Sequence, residues 1–359
     1  MRKNSLGFPV EFADGVFEEG NGRLAEVIRA AGGETARIFI VADMNVVQRT
    51  EGLGTRIGRY VQANRLELAG SPVVIAGGEK AKSDRLASAI QVMSAMLDAR
   101  IGCGDVVLAI GGGSVLDVAG YAAAQVRGGV ALVRMPTTPA AMIDAAFATM
   151  AAVDSDHVKD ALRVASVPKA VVIDTAFAKT VLDGVWRGGF AEAVRLALVA
   201  DAALFKRLVA AAGAYRERNF GVFDEIVRAA VAVRQKKGDS GFGLWSACRL
   251  EALSGYKLPH GYSVAIGVAV DTVYAALRGF LSEADRDQVL ALLKSCGAMD
   301  GASHSRHLIT RFDSVLCGLD AWRLGSGSAA IVLPAGIGKS CLDENPDRDT
   351  MKTALDMIK

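Results

Sequence analysis

Aromatic side chains are scarce in this 359-residue chain, at 6%, although hydrophobic residues make up 51% of it. The apolar content is carried by Ala, Val, Leu and Ile, which suit helices covering a buried parallel sheet. No apolar run approaches the roughly 20 residues of a membrane-spanning helix, so that class is excluded. The opening MRKNSLGFPVEFADG turns polar without an apolar core segment, and no secretion signal is expected. Charge of one sign is lacking too: 41 Lys and Arg stand against 39 Asp and Glu, a net of +2, with no basic block. Nucleic acid and anionic membrane are therefore not expected partners. Cysteine is sparse. Cys103, Cys248, Cys296, Cys317 and Cys341 form no C-x-x-C pair, which points to reduced thiols in a cytoplasmic protein.

What is present is an alternation of strand and helix signals. RIFIVAD (37–43), SPVVIAG (71–77), DVVLAIGGG (105–113), ALVRMPTT (131–138) and AVVID (170–174) are short β-branched runs ending in Gly, Asp or Thr. Helical stretches lie between them. The clearest, 83–99, is expected to be capped by Ser83 and to bury Leu86, Ile90, Met93 and Leu97 on one face. This predicts an α/β fold with a doubly wound, Rossmann-like parallel sheet. After residue 175 the texture becomes helical, with one late apolar stretch at 329–339 that reads as a strand or hairpin. The expected division is 1–175, a nucleotide-type domain, and 176–359, a helical domain.

AIGGGSVLDVAGYAAA (109–124) is an apolar strand, three glycines and a helix carrying Asp117. Glycine there lets a backbone approach a pyrophosphate, whose charge a helix N-terminus stabilises. The spacing is not G-x-G-x-x-G, so a tight turn without a ligand stays open. Asp43, Gly77-Gly78-Glu79 and Thr137-Thr138 end neighbouring strands, which gathers polar groups at the carboxyl edge, where ligands bind in such sheets.

VADMNV, GGEKAKS, GGGSVLDVAG, VRGG, MPTTPAAMIDAA and VPKAVVIDTAF follow one another, and GGFAEAVRLALVAD, LPHGYSVAIG and PAGIGKSCLDEN continue the series. In order and spacing this resembles dehydroquinate synthase and, more broadly, the sugar-phosphate cyclases. The resemblance spans almost the whole chain. It implies NAD as a transient oxidant, held by Asp43, Asn45, Glu79, Lys82, Gly112, Gly113, Ser114, Asp117, Thr137, Thr138, Asp144 and Lys159. It also implies a homodimer, with Arg127 reaching across the interface toward a phosphate, and a small sugar-like substrate.

The family's divalent metal, zinc or cobalt, is held by one glutamate and two histidines. Glu192 in FAEAV and His260 in HGYSVAIG match two of the three. The second histidine should lie 16 residues before His260, where the chain has Leu244, and a pocket histidine has become Cys248. A phosphate-binding lysine matches Met150, a Lys-Asn pair is Lys159-Asp160, and the lysine of AEVIK is Arg195. About ten residues between Lys237 and Phe242 are missing relative to the family, which leaves Arg234 and Lys236 unassigned. Lys159, Arg195, Cys248 and Arg127 are the catalytic candidates.

Plainer readings stand beside these. Glu192 and Arg195 could form a buried ion pair, and His260 could simply start a helix. Cys248 as a thiolate, Tyr262 or water could complete a weak zinc site. His304 and His307 read as a solvated loop, and Met150 and Trp245 as fillers of vacated space. Three functions follow. One is a diverged NAD-dependent cyclase-like enzyme that does not make 3-dehydroquinate by the metal-assisted route. The others are an NAD-dependent polyol dehydrogenase and a non-catalytic nucleotide-binding homologue.

Overall fold

A computed structural model describes residues 6–155, 158–300, 306–328 and 330–358. The chain divides into two compact units, Met1–Val181 and Leu182–Lys359.

The first unit is built on β1 (Val10–Phe12), β2 (Arg37–Asp43), β3 (Glu67–Leu68), β4 (Val73–Ile75), β5 (Val106–Gly111) and β6 (Ala131–Pro136). A hairpin of β7 (Met150–Ser155) and β8 (Val158–Ala165) precedes β9 (Ala170–Ile173). The main sheet runs β1-β9-β6-β5-β2-β3, with β4 also pairing β2, and every pair in it is parallel. All six residues of β5 are buried, which is why that strand is a continuous apolar run and not an alternating one. Helices α1 (Arg23–Gly32), α2 (Met44–Arg49), α3 (Leu53–Ala63), α4 (Ala87–Asp98), α5 (Gly113–Gln125) and α6 (Pro139–Ile143) supply the connections.

The expected face of α4 is corrected. Ser88, Ala89, Val92 and Met96 are its buried residues, whereas Ile90 and Leu97 are about half exposed. The helix begins after Leu86, and Asp84, not Ser83, supplies the carboxylate that accepts from the Ser88 backbone N–H. Ser88 and Ala89 on the true face allow a close approach that larger residues there would prevent. Arg134, in the middle of β6, is fully buried. It donates to the carbonyls of Ala148 at 2.5 Å and Ser166 at 3.2 Å, bracing the base of the hairpin.

The second unit is helical: α7 (Asp183–Ala200), α8 (Ala202–Arg216), α9 (Phe220–Lys237), α10 (Leu244–Leu253), α11 (His260–Leu277), α12 (Glu283–Ser295), α13 (Arg306–Ile309), α14 (Phe312–Ser326) and α15 (Arg348–Met357). The late apolar stretch is one arm of an antiparallel hairpin, β10 (Ile331–Pro334) with β11 (Ser340–Asp343). Helix α11 is buried along nearly all its length, as expected for a helix apolar on every side. No helix among the described residues is long and apolar enough to cross a membrane. His307 lies exposed in short α13 and not in a loop; His304 lies outside the described residues.

One acid sits inside this apolar packing. Asp271 of α11 is fully buried and accepts from the Trp245 indole at 2.8 Å and the Gly243 N–H at 3.0 Å. Trp245 thus fills space and also holds a partner. Burial pushes the Asp271 carboxyl up to about 7, and its two hydrogen bonds only partly oppose this. Its folded pKa exceeds the unfolded value, so the native state holds the proton more tightly between pH 4 and 7. Stability contributed by this group is therefore present in acid and lost as pH rises through that window. The expected loss is ~2–4 kcal/mol, no steeper than ~1.4 kcal/mol per pH unit. Urea unfolding at a series of pH values should show this decline, and Asp271→Asn should flatten it.

Candidate functional site

In the first unit the parallel strands deliver their carboxyl ends, and with them Asp43, Gly111, Pro136 and Asp174, to one sheet edge. Gly112 precedes α5, whose first turn has no side-chain cap, so its N–H groups remain available to an anion. The backbone is tightly packed here. A Cβ on Gly112 would lie 3.2 Å from the Thr138 methyl, and one on Gly113 3.0 Å from Ala145. Thr138 caps α6 through the Ala141 N–H, but the buried Thr137 hydroxyl has no partner among the described residues. Asp43 caps α2, accepting from the Asn45 backbone at 2.8 Å and its side-chain amide at 3.2 Å. Asp144 is half-buried where α6 ends, its N–H donating to Ala140.

Beside this turn lies a cluster of buried charge. Lys82 donates to Asp117 at 2.7 Å and Asp160 at 2.5 Å, and Lys159 to Glu79 at 2.7 Å. Ser114 donates to the other Glu79 oxygen. Asp154 accepts from the Asp160 N–H through one oxygen, while the other is buried without a partner among the described residues. Burial alone would lower the Lys82 pKa, but Asp117 and then Asp160 raise it well above its ordinary value. Burial works the other way on Asp160, and Lys82 and Lys159 outweigh it to hold that carboxyl low. Arg127 does not join this group. It is exposed, at the far end of α5 from the glycine turn, roughly 20 Å away for a 13-residue helix.

In the second unit α7 and α11 cross at Gly188 and Gly261. A Cβ on Gly188 would stand 2.8 Å from the Gly261 Cα. That backbone contact places Glu192, one turn beyond Gly188, against His260, the residue before Gly261. The His260 ring meets Glu192 Oε1 through Nε2 at 3.0 Å and Glu251 Oε1 through Nδ1 at 2.7 Å. Glu192 and Glu251 are fully buried. Arg195 donates from Nε to the second Glu192 oxygen at 2.6 Å and from Nη1 to Asp239 at 2.9 Å. Asp239 also pairs with Arg234 at 3.0 Å. Burial would raise the Glu192 carboxyl, yet the Arg195 charge and the His260 hydrogen bond hold it well below its ordinary value. Cys248 is half-buried on α10, one turn before Glu251, and the histidine is engaged by Glu251.

Sequence reasoning missed Glu251 and Asp239 and left Arg234 unassigned. The one signal for Glu251 was an acid within the largely apolar stretch 244–253, which does not by itself show burial. Met150 does not fill a vacated cavity; it is 43% exposed on β7.

Residues 72–187 match the 3-dehydroquinate synthase N-terminal family model, and residues 189–310 the C-terminal one. A 2-epi-valiolone synthase from Actinosynnema mirum is 30% identical over 332 residues, covering 89% of this chain and 85% of that protein. The chain belongs to the 3-dehydroquinate synthase family. A member from Sinorhizobium medicae, a 3-dehydroquinate synthase, is 29% identical, covering 90% of this chain and 89% of that protein. The structure of ValA, a 2-epi-5-epi-valiolone synthase from Streptomyces hygroscopicus subsp. jinggangensis with NAD+ and Zn2+ bound, superposes with a TM-score of 0.83. It is 26% identical, over 98% of this chain and 96% of that one.

The two cofactors that the family implies fare differently against these residues. An uncapped helix N-terminus, a glycine turn packed to contact and an orphaned Thr137 hydroxyl fit a dinucleotide. The second unit does not complete the family's metal triad: Glu192 and His260 are present and 3.0 Å apart, but Leu244, where the family has a histidine, offers no lone pair.

Proposed function

We propose that this chain is a diverged, NAD-dependent cyclase-like enzyme acting on a sugar-phosphate- or cyclitol-like substrate, and that it does not follow the metal-assisted route to 3-dehydroquinate. The observation that carries this reading is the unpartnered, buried Thr137 hydroxyl beside an uncapped α5 N-terminus. An unmatched polar group at that depth costs about 1–3 kcal/mol unless a ligand satisfies it. When bound, NAD supplies a hydride acceptor. The chain's part is to hold the pyrophosphate with the α5 N–H groups and to offer Asp43 as an acceptor for ribose hydroxyls. Lys82 and Lys159 are outnumbered beside the turn by Glu79, Asp117, Asp154 and Asp160, a balance that favours less anionic substrates. Relatives named as 2-epi-valiolone synthase and 3-dehydroquinate synthase support the cyclase class. A cytoplasmic homodimer belongs to the same reading, with 1–175 as the NAD-binding part and 176–359 as the helical part.

Calorimetric titration with NAD+ tests the cofactor. Saturable binding is expected, and Gly112→Val, which sets methyl groups against Thr138 and the helix start, should weaken it by about tenfold or more. Absence of binding to the wild-type protein would sink the proposal. Steady NADH release with a polyol would instead identify net dehydrogenation.

A further inference from the structure

The feature of the second unit that the cyclase reading does not use is the chain of charge Glu192–Arg195–Asp239–Arg234. Each link is a direct ion pair, at 2.6, 2.9 and 3.0 Å. The two arginines and Glu192 are almost completely buried, and only Asp239 retains substantial exposure. Two of the links come from places that look unremarkable in the sequence: the last turn of α9 and the short connection from Lys237 to Leu244.

We infer that the second unit holds no divalent metal and that the Arg195 guanidinium, fixed by Asp239, takes the place of that ion as the positive charge on Glu192. Three observations lead there. Glu192 presents one oxygen to the Arg195 guanidinium and the other directly to His260, so its charge is already met by Arg195. Leu244 supplies no donor where the family's second histidine would stand, so a divalent ion on Glu192 would lack that ligand. Asp239 is what fixes Arg195 on its other side. It accepts from Nη1 while Arg234 pins it from the other side, and the connection that carries Asp239 is only six residues long, 238–243. Arg195 is thus a positioning residue: it holds Glu192 aimed at His260 without a metal. The inference rests on second-unit geometry alone and is independent of the cofactor reading.

The experiment is elemental analysis of the full chain purified without chelator and without a metal-affinity step. It is followed by zinc titration against a chromophoric chelator for the wild type, Arg195→Lys and the double variant Arg195→Gln/Leu244→His. Wild-type protein should carry roughly a tenth of an equivalent of zinc or cobalt or less, and chelator should leave its melting temperature unchanged. Arg195→Lys keeps the cation and should remain metal-free. The double variant removes the cation and restores a donor, and its zinc affinity should rise on the order of 10–100-fold. About one equivalent of metal in the wild type, lost in Glu192→Gln, would overturn the inference. So would a folded double variant that binds zinc no better than the wild type. If the double variant does not fold, the wild-type metal content decides alone. NAD+ titration of the same preparation keeps a failure of the cofactor reading separate from a failure here.

Discussion

Gly261→Ala is expected to cost the second unit ~3 kcal/mol or more and to lower its melting temperature by at least roughly 6 °C. The added Cβ would fall on the Gly188 Cα. That atom belongs to backbone, not to the movable end of a side chain, so α7 and α11 must separate. Their seam is lined by small residues that permit contact at this point, and nothing nearby can absorb the shift, because close-packed interiors transmit strain. The separation also has a chemical reading. Glu192 and His260 flank the crossing, so an opening of about 1 Å would break their 3.0 Å contact beyond hydrogen-bond range. Gly213→Ala is the control. Gly213 is an exposed residue of α8 with nothing within 4 Å of its would-be Cβ, and helix propensity predicts a gain of up to ~1 kcal/mol. Thermal unfolding of the two variants separates a clash from a general intolerance of alanine. Equal destabilisation by both would refute the crossing argument.

How far these arrangements could be read in advance depended on whether the decisive contact was local. RIFIVAD coincides with β2, because a strand buried on both faces must be a continuous apolar run bounded by a polar stop. The β7–β8 hairpin was not legible. Its second strand, VKDALRVA, is largely exposed and charged, and exposed antiparallel edges carry no apolar signature. On α4 two apolar sets share the helical period, and spacing alone could not prefer Val92 and Met96 over Ile90 and Leu97. The same division runs through the candidate site. The glycine turn is visible because steric need restricts the residue type. Glu192 and His260 became visible through resemblance. Glu251 and Asp239 owe their roles to packing across 9 and 44 residues of sequence, and an isolated acid in a sequence looks the same whether it faces water or a buried imidazole.

Lys82→Met should be strongly damaging to the first unit, at ~3–5 kcal/mol, because it removes one partner of a buried ion pair and strands the others. Four carboxylates, those of Glu79, Asp117, Asp154 and Asp160, surround two ammonium groups there. Lys82 alone bridges two of the four. Methionine would fill the volume of the stem and leave Asp117 and Asp160 without the cation they bond to. The pH dependence identifies the cause. In the wild type Asp160 is held below its ordinary range by Lys82 and Lys159 against the effect of burial. It therefore contributes stability above that range, which is lost as pH falls. In the variant the stranded carboxylates take up protons more readily, so acid relieves the repulsion and the gap between the two proteins should narrow between about pH 7 and 4. Asp160→Asn is the informative companion. Asp160 has φ +54°, which asparagine tolerates, and Lys82 would keep Asp117. Its cost should be nearer ~1 kcal/mol, with one negative charge fewer beside the glycine turn. Denaturant unfolding at pH 4, 5.5 and 7 measures all three proteins. A Lys82→Met deficit that stays constant across that range would mean the loss comes from packing, not from charge.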